Sequence, residues 1–431
     1  MNKRALVLGG GGAKGSYQMG AWQAFRELEM GFDIITGTSI GSINGALMAQ
    51  DAFEVADELW NSIEYENIFH EERKTNIRTI NSALDMVKFA VNDALLQGSV
   101  DSSSLEALIK EAVDEDKVRA SSVRFGLVTV ELPAMRPLTP MIEEIPHGML
   151  YRYLMASSSC FPVFSPYDID GVRYIDGGYY DNVPINLAIK QGANYVVAVD
   201  LDGIGFVREP VSEQGIDIIR IRSYWDLGAV FEFDKNIFAR NRRLGYYDTM
   251  KAFGQLDGYY YTFGNGESAK NLKALEGGLP VLRERMTRLA QSPMVRTIST
   301  VEKDNAIDFL MESNWESHAP EKLCRAAEIA GSVYGISPEQ QYTFKKYNSQ
   351  LLRLYHAVPP VFPTLELQPR EDIKRILAAA LQSMEPRRMS ASITQLMLRE
   401  QSDSEAVRIL AGLLPREYAA AAYLALLLKH N

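Results

Sequence analysis

The chain has 431 residues, and 45 Lys and Arg residues against 55 Asp and Glu residues give it a formal net charge of −10. Apolar residues make up 46% of the chain and charged residues 23%, which is the composition of a folded globular protein and excludes dominant disorder. An acidic chain lacks the basic footprint of a general nucleic-acid binder, so we expect no nucleic-acid partner. The length predicts two domains.

Cysteine and histidine are scarce, which limits the metal and disulfide chemistry open to this chain. Cys160 and Cys324 are the only cysteines, and no two of the five histidines stand at metal-ligand spacing. These counts exclude a disulfide scaffold and a cysteine-rich zinc site, and we expect no metal and no other cofactor. Sparse cysteine fits a reducing, cytoplasmic setting.

Neither a signal peptide nor a membrane-spanning helix is predicted. Only four apolar residues follow Lys3 and Arg4 before the first glycine, whereas a signal core needs about 7–15. The longest apolar stretch, 418–428, is about half of the roughly 20 residues that cross a bilayer. We therefore expect a cytoplasmic protein that is soluble or peripheral to a membrane.

Strand and helix patterns alternate along the first half of the chain. Short apolar segments predict strands, and apolar residues at helical spacing predict the helices between them. This alternation indicates an α/β sandwich with a largely parallel sheet. The strands are predicted at 5–8, 34–36, 125–130, 173–175, 195–199 and 218–221, and the helices at 16–28, at 39–52, from Leu84 through Leu95 and from Ser103 onward.

Strand patterns disappear near residue 265, so we predict one domain over 1–265 and a helical region over 266–431. The sequence Ser-Pro-Glu-Gln at 337–340 predicts a helix start, and two more helices are predicted on either side of Pro415. A further helix after Pro369 carries an apolar stripe that must be buried in its own bundle, against the first domain or in a homo-oligomer. The stripe consists of Ile373, Ile376, Leu377, Ala380 and Leu381.

A glycine-rich segment at 9–15 lies between the first predicted strand and the first predicted helix. Its backbone can turn tightly with N–H groups converging, and the helix adds its positive N-terminal end, so such a loop suits an anion or an oxyanion. Gly10, Gly12 and Gly15 also match a dinucleotide-binding pattern, but the acidic residue that this pattern wants after the second strand is missing. Lys14 precedes the last glycine, whereas a P-loop lysine follows it. An unliganded tight turn is the remaining alternative.

The second signal is the pentapeptide Gly-Thr-Ser-Ile-Gly at 37–41, which lies between a predicted strand and a predicted helix. This is the context of a nucleophile elbow, in which Ser39 projects from a sharp turn and small flanking residues relieve crowding. The alternative is that Ser39 only caps the following helix.

A serine nucleophile needs a base, and the sequence offers an aspartate in place of a histidine. The only histidines before residue 265 are His70 and His147, and neither stands at the end of a predicted strand. Asp176 does end a predicted strand, and Gly177 and Gly178 leave its carboxylate uncrowded. Taken alone, this tripeptide is also what a simple turn would show.

Together the three motifs resemble the patatin-like phospholipase family, over about residues 4–265. The segment at 10–15 resembles the glycine-rich oxyanion block with its basic residue, 37–41 the nucleophile block, and 176–178 the aspartate block. The segment at 156–162 resembles the stretch leading to the aspartate, although its Ser-Ser-Ser-Cys run is more polar than usual. The resemblance implies a three-layer α/β/α sandwich with a mostly parallel sheet, followed here by an all-α C-terminal region.

The resemblance also implies lipid acyl hydrolysis by a Ser–Asp dyad without a metal. Ser39 would attack the ester carbonyl of a lipid or phospholipid, and Asp176 would act as general base. Lys14 would orient the loop or attract a lipid phosphate. The oxyanion would be held by Gly10, Gly11, Gly12 and Ile40, with Lys14, Gly15, Gly37, Gly41, Gly177 and Gly178 in supporting positions. Two alternatives remain, an esterase of small soluble esters and a non-catalytic nucleotide- or phosphate-binding module.

Overall fold

A computed structural model describes most of the chain, and its described residues form two compact units, Met1–Ala252 and Phe253–Asn431. The division falls after the last long helix of the first unit. The described residues are 3–63, 68, 77–89, 101–211, 215–291, 305–359, 385–399 and 405–430.

One eight-stranded sheet runs through the N-terminal unit in the order β5-β6-β3-β2-β1-β7-β8, with β4 paired to β3. Its strands are β1 (Arg4–Leu8), β2 (Ile34–Thr38), β3 (Arg124–Leu132), β4 (Arg136–Leu138), β5 (Tyr167–Ile169), β6 (Val172–Asp176), β7 (Tyr195–Asp200) and β8 (Asp217–Arg222). The five strands from β3 to β8 in this order are parallel, and β4, β5 and β6 are antiparallel additions beside β3.

Helices cover both faces of this sheet. Alternate residues of β1 point to opposite faces: Ala5 belongs to a core cluster with Ile185 of α8, whereas Leu8 lies against Gly45 of α2. The sheet is therefore buried between two helical layers, as the alternating sequence pattern predicts. The helices are α1 (Ser16–Glu27), α2 (Ile40–Ala49), α3 (Phe53–Ser62), α4 (Ala83–Phe89), α5 (Ser103–Ala112), α6 (Glu115–Ala120), α7 (Leu150–Ser157), α8 (Ile185–Lys190) and α9 (Lys235–Ala252).

The six strands predicted in the first half are all present, because each is an apolar segment that the sheet buries. Of the predicted helix from Leu84 through Leu95, the structure has α4 at Ala83–Phe89, and its continuation lies outside the described residues. The helix predicted from Ser103 is present, but Ser102 is its N-cap and makes no side-chain capping bond. The exposed hydroxyl of Ser103 donates to Asp101 instead.

The C-terminal unit is helical apart from one pair of two-residue strands, β9 (Thr262–Phe263) and β10 (Gln341–Tyr342). Helix α17 is buried on all sides from Tyr418 to Leu427 and packs against α13 and α15. No helix among the described residues is both long and apolar enough to cross a membrane. The helices are α10 (Glu267–Leu275), α11 (Leu279–Ala290), α12 (Asn305–Met311), α13 (Ala319–Tyr334), α14 (Phe344–His356), α15 (Pro386–Leu398), α16 (Glu405–Leu413) and α17 (Pro415–His430).

One helix start predicted in this unit is wrong. Residues 337–340 form bends, and helix α14 begins at Phe344, where Thr343 caps it through a bond from the Lys346 N–H. The bends lead directly into β10, which pairs with β9, so strand pairing overrides the local helix signal. The two helices predicted beside Pro415 are present as α16 and α17. The helix predicted after Pro369, with its apolar stripe, lies outside the described residues.

Candidate active site

The glycine-rich loop leaves the central strand of the sheet and enters α1. The Gly9 N–H donates to the Val199 carbonyl at 3.0 Å, which ties the start of the loop to β7. Gly12 has a φ of 55°, in the left-handed region, and a Cβ there would clash with the backbone of Val230. A single 3₁₀ turn, Gly12–Gly15, then leads into α1. The loop therefore needs glycine both for its conformation and for its close approach to a neighbouring segment.

Ser39 lies at a strained turn between β2 and α2. Its φ of 55° and ψ of −130° are unusual for a residue with a side chain, and strain of this kind concentrates at functional sites. Ser39 is the N-cap of α2, yet its side chain makes no capping hydrogen bond, so the interpretation as a simple helix cap is not supported. Gly37 lies against the backbone of Gly41, and Gly41 against the carbonyl of Leu8, which brings the turn and the glycine loop together.

Asp176 lies beside Ser39 because of strand register. Thr38 pairs with Val128 on β3, and the next residue of β3, Thr129, pairs with Asp176. The Asp176 carboxylate accepts a hydrogen bond from the Ser39 hydroxyl and another from the Gly178 N–H at 2.7 Å. Gly177 leaves room for the backbone of β3 at this turn.

Burial gives Asp176 the pKa of a stronger base. Its side chain is only 6% exposed, and burial raises the pKa of Asp176 to about 6, although its two hydrogen bonds favour the charged form. At neutral pH the carboxylate is still ionised and can accept a proton from Ser39. The closer pKa match favours general-base chemistry near neutral pH.

The polar run at 157–160 supports both members of this pair, a role that the sequence pattern alone does not indicate. The Ser39 N–H donates to the Ser157 hydroxyl at 2.9 Å, and that hydroxyl donates to the Val128 carbonyl at 2.7 Å. The Asp176 N–H donates to the Ser159 carbonyl at 3.0 Å. Ser158 is also buried, and its hydroxyl has no hydrogen-bond partner among the described residues.

Three backbone N–H groups near Ser39 are available to an oxyanion. The Gly10 N–H donates to the Asn182 carbonyl at 3.0 Å, so in this arrangement it is already occupied. For the N–H groups of Gly11, Gly12 and Ile40, the described part of the chain supplies no acceptor. All three of these residues line the same cavity as Ser39.

Asn182 clamps the glycine loop from the opposite side, and the sequence analysis did not single it out. Besides accepting the Gly10 N–H, it donates its side-chain amide to the Gly10 carbonyl at 3.2 Å. Behind the loop, Gln18 donates to the Gly9 carbonyl at 2.8 Å, and Asn44 donates to the Gly15 carbonyl at 3.2 Å. Buried polar groups that bond only to backbone carbonyls of one loop would have been the signal, but sequence does not reveal such pairings.

Lys14 and the two early histidines lie away from the Ser39 hydroxyl. Lys14 is buried, its ammonium donates to the Asp202 carbonyl at 3.2 Å, and burial lowers the pKa of Lys14. His147 is exposed and contacts Asp116 at 3.0 Å. His70 lies outside the described residues.

An apolar cavity of about 980 Å³, counted to its open mouth, adjoins Ser39 and Asp176. Its walls come from α2, α3, α5 and the loops around the pair. The lining side chains include Ile43, Leu59, Trp60, Ile63, Leu105, Leu108, Ile109, Phe164, Ile204, Phe231 and Phe233. Such a shape suits an extended apolar group whose end reaches the Ser39 hydroxyl.

Acidic and sulfur side chains do not converge in the way that a metal requires. Within the described ranges, no three His, Cys, Asp or Glu residues are grouped to hold an ion. The nearby acids Asp200 and Asp202 both face Arg222, whose guanidinium lies 4.0 Å from the first and 2.8 Å from the second. These two acids therefore form an ion-pair cluster.

Comparison with known proteins agrees with this geometry. The family model described as patatin-like phospholipase matches residues 6–189. Patatin-like phospholipase domain-containing protein 7 of Rattus norvegicus is 32% identical over 46% of this chain, and lysophospholipase NTE1 of Mycosarcoma maydis is 27% identical over 46%. These matches cover only 14% and 10% of the two relatives. The crystal structure of VipD from Legionella pneumophila aligns with 99% of this chain and 90% of its own, at 13% identity and a TM-score of 0.40.

The matched segment, 6–189, contains the glycine loop, the Ser39 turn and the Asp176 turn, in the order and spacing that the resemblance predicts. Through this segment, the chain belongs to the patatin-like phospholipase family.

Proposed function

We propose that this chain is a serine lipid acyl hydrolase that cleaves ester-linked acyl chains of phospholipids. The observation that carries the proposal is the hydrogen bond from the Ser39 hydroxyl to the buried Asp176 carboxylate, at the mouth of an apolar cavity. The pair supplies a nucleophile and a base, and the cavity supplies a place for an acyl chain.

In the first half-reaction, Asp176 takes the proton of Ser39 while the serine oxygen bonds to the ester carbonyl carbon. The electron pair of the C=O bond moves onto its oxygen, which the N–H groups of Gly11, Gly12 and Ile40 stabilise. The intermediate then collapses and the ester C–O bond breaks. The departing alcohol takes the proton from Asp176 and leaves an acyl group on Ser39.

In the second half-reaction, water replaces the alcohol. Asp176 takes a proton from the water as its oxygen attacks the acyl carbon, and the same N–H groups hold the second oxyanion. Collapse returns the proton to Ser39 and releases a fatty acid. One carboxylate serves as base and then acid in both halves, so the scheme needs no histidine.

The cavity lining favours a long acyl chain over a small soluble ester. Large apolar side chains from α2, α3 and α5 line it, and burying each CH₂ of a chain there would contribute about 0.8 kcal/mol. Some relatives carry the name lysophospholipase, so a phospholipid with a single acyl chain is the first substrate to assay.

The decisive experiment follows products and a covalent probe in the same proteins. Wild-type protein should release fatty acid from lysophosphatidylcholine and react with a fluorophosphonate at Ser39, and Ser39→Ala should do neither while remaining folded. Ser158→Ala is the matched control, because its hydroxyl lines the same cavity and makes no hydrogen bond to the protein. Labelling of the Ser39→Ala protein at the wild-type rate would rule out the proposed nucleophile.

A further inference from the structure

The loop after β7 exposes apolar side chains that the proposed chemistry does not use. Phe206 is 69% exposed, Val207 45% and Val211 58%, and Phe161, on the turn after α7, is 42% exposed. We name these four side chains the mouth patch. Single exposed apolar residues are ordinary, but a group of them beside a binding cavity marks an interaction surface.

Backbone hydrogen bonds hold two parts of the mouth patch beside the Asp176 turn. The Phe206 N–H donates to the Gly178 carbonyl at 2.8 Å, and the Phe206 carbonyl accepts the Asn182 N–H at 2.6 Å. The hydroxyl of Tyr179 donates to the carbonyl of Phe161. Phe206 and Phe161 are thus both attached to the short segment that follows Asp176.

The same loop also forms part of the cavity wall. Ile204 lines the cavity, two residues before Phe206. Gly203 lies against the glycine loop, where a Cβ would come within 2.9 Å of the Gly11 Cα, and Gly205 approaches the Gly178 carbonyl in the same way. Within a few residues, this loop therefore runs from the apolar interior of the cavity to an apolar surface.

Charge identifies the kind of partner that this surface fits. The chain carries a net charge of −10, so an anionic membrane would repel it at long range. Next to Val207, Arg208 is exposed, with its guanidinium 4.5 Å from the centre of the Tyr180 ring, and it is followed by the exposed Glu209. The immediate surroundings of the mouth patch are therefore neutral. An aromatic and aliphatic cluster bordered by Tyr and Arg is typical of the membrane–water interface.

We propose that the mouth patch inserts into the surface of a zwitterionic lipid bilayer, so that an acyl chain passes directly from the bilayer into the cavity. This inference rests on the proposed function for its substrate, but bilayer binding can be measured without turnover. Because the contact is apolar, binding should depend little on salt.

The test uses the full-length chain in the Ser39→Ala background, mixed with phosphatidylcholine vesicles and separated by flotation. Phe206→Ser should weaken vesicle binding roughly tenfold or more, and Phe206→Trp should retain it, because Trp restores an interfacial aromatic side chain. Val281→Ser is the matched control: Val281 is a 43% exposed apolar residue of α11 and is not part of the mouth patch. In the Ser39-containing protein, Phe206→Ser should lose hydrolysis of vesicle lipid but keep hydrolysis of a small soluble ester within about twofold, since its backbone bonds remain.

Three results would overturn the inference. Vesicle binding by Phe206→Ser equal to that of its parent would exclude the mouth patch as the contact. Absence of binding by the parent itself would point to a partner other than a bilayer. Loss of small-ester hydrolysis in folded Phe206→Ser would mean that the side chain shapes the site. Failure of the proposed function is distinguished from all three, because it removes ester hydrolysis and phosphonate labelling from the wild-type protein and leaves vesicle binding unchanged.

Discussion

The backbone N–H of Ser39 donates to the hydroxyl of Ser157 at 2.9 Å, and the same hydroxyl donates to the carbonyl of Val128 at 2.7 Å. Ser157 thus joins the strained serine turn to β3, the strand that also pairs with Asp176. Because this hydroxyl is completely buried, water cannot replace it. We interpret Ser157 as a positioning residue, which holds the turn so that the Ser39 hydroxyl points at the carboxylate.

Replacement of Ser157 by Ala should lower kcat on a soluble ester and leave KM nearly unchanged. The Ser39 N–H would lose its acceptor, which costs about 1–3 kcal/mol for a buried group, and the turn could relax. Ser157→Cys should restore part of kcat, because sulfur is a weak acceptor. Ser159→Ala is the matched control, since the Ser159 hydroxyl donates only to the Met155 carbonyl of its own helix. Equal losses of kcat in the Ser157→Ala and Ser159→Ala proteins would contradict the positioning role.

The pKa of Asp176 predicts how activity depends on pH. Burial raises this pKa to about 6, and only the ionised carboxylate can accept the Ser39 proton. On a soluble ester, kcat/KM should therefore fall as the pH drops through about 6, and Asp176→Asn should be inactive at every pH. Asp181→Asn is the matched control, because burial also raises the pKa of Asp181 to about 6 but its side chain does not line the cavity. Retained activity in Asp176→Asn would remove this carboxylate from the reaction.

The same pKa predicts a stability effect of the opposite sign to the loss of activity. Asp176 has a higher pKa in the folded chain than the value of about 3.9 in an unfolded one, so its burial costs free energy once it ionises. This cost is absent below about pH 4 and complete above about pH 6. Asp176→Asn should therefore raise the free energy of unfolding at pH 7 by up to about 3 kcal/mol and change it little at pH 4. Denaturant unfolding at the two pH values measures this difference, and a variant less stable than wild type at pH 7 would contradict it.

Asn182 should matter for catalysis because it bonds to both sides of the Gly10 peptide. Asn182→Ala removes the 3.2 Å bond to the Gly10 carbonyl and frees the loop whose next two N–H groups face the cavity. We expect kcat on a soluble ester to fall by between about tenfold and about 10²-fold, since small displacements of oxyanion donors are costly. Asn186→Ala is the control, because Asn186 bonds to the backbone of Glu209 and Val211 instead. An unchanged kcat in Asn182→Ala would show that the loop is held without it.

The buried position of Lys14 separates its two proposed roles. Its ammonium donates to the Asp202 carbonyl and does not line the cavity, which favours orientation of the loop over attraction of a lipid phosphate. Lys14→Met should therefore lower hydrolysis of an uncharged soluble ester and of a phospholipid by the same factor. A loss confined to the phospholipid would instead support a role in binding phosphate.

Local patterns were sufficient to predict the strand–turn–helix units and the residues at their turns. Buried strands such as β1 and β2 are short apolar segments bounded by glycine, and the turns after them need glycine because neighbouring backbones approach closely. The prediction at 337–340 was wrong because the local helix signal competes with the pairing of β10 and β9, two segments about 80 residues apart. No local pattern contains information about such a pairing.

Sequence alone therefore determined which residue types stand at the three turns, and the family resemblance followed from them. Tertiary structure decided what those residues meet. The antiparallel pairing of β6 with β3 brings Asp176 to Ser39, residues 137 positions apart, and the chain folds Ser157 and Asn182 onto the same turns. It also occupied the Gly10 N–H, which leaves Gly11, Gly12 and Ile40 as the available donors. The physical reason is that hydrogen bonds and cavity walls join segments distant in sequence, and their partners are chosen by the packing of the whole sheet and its helices.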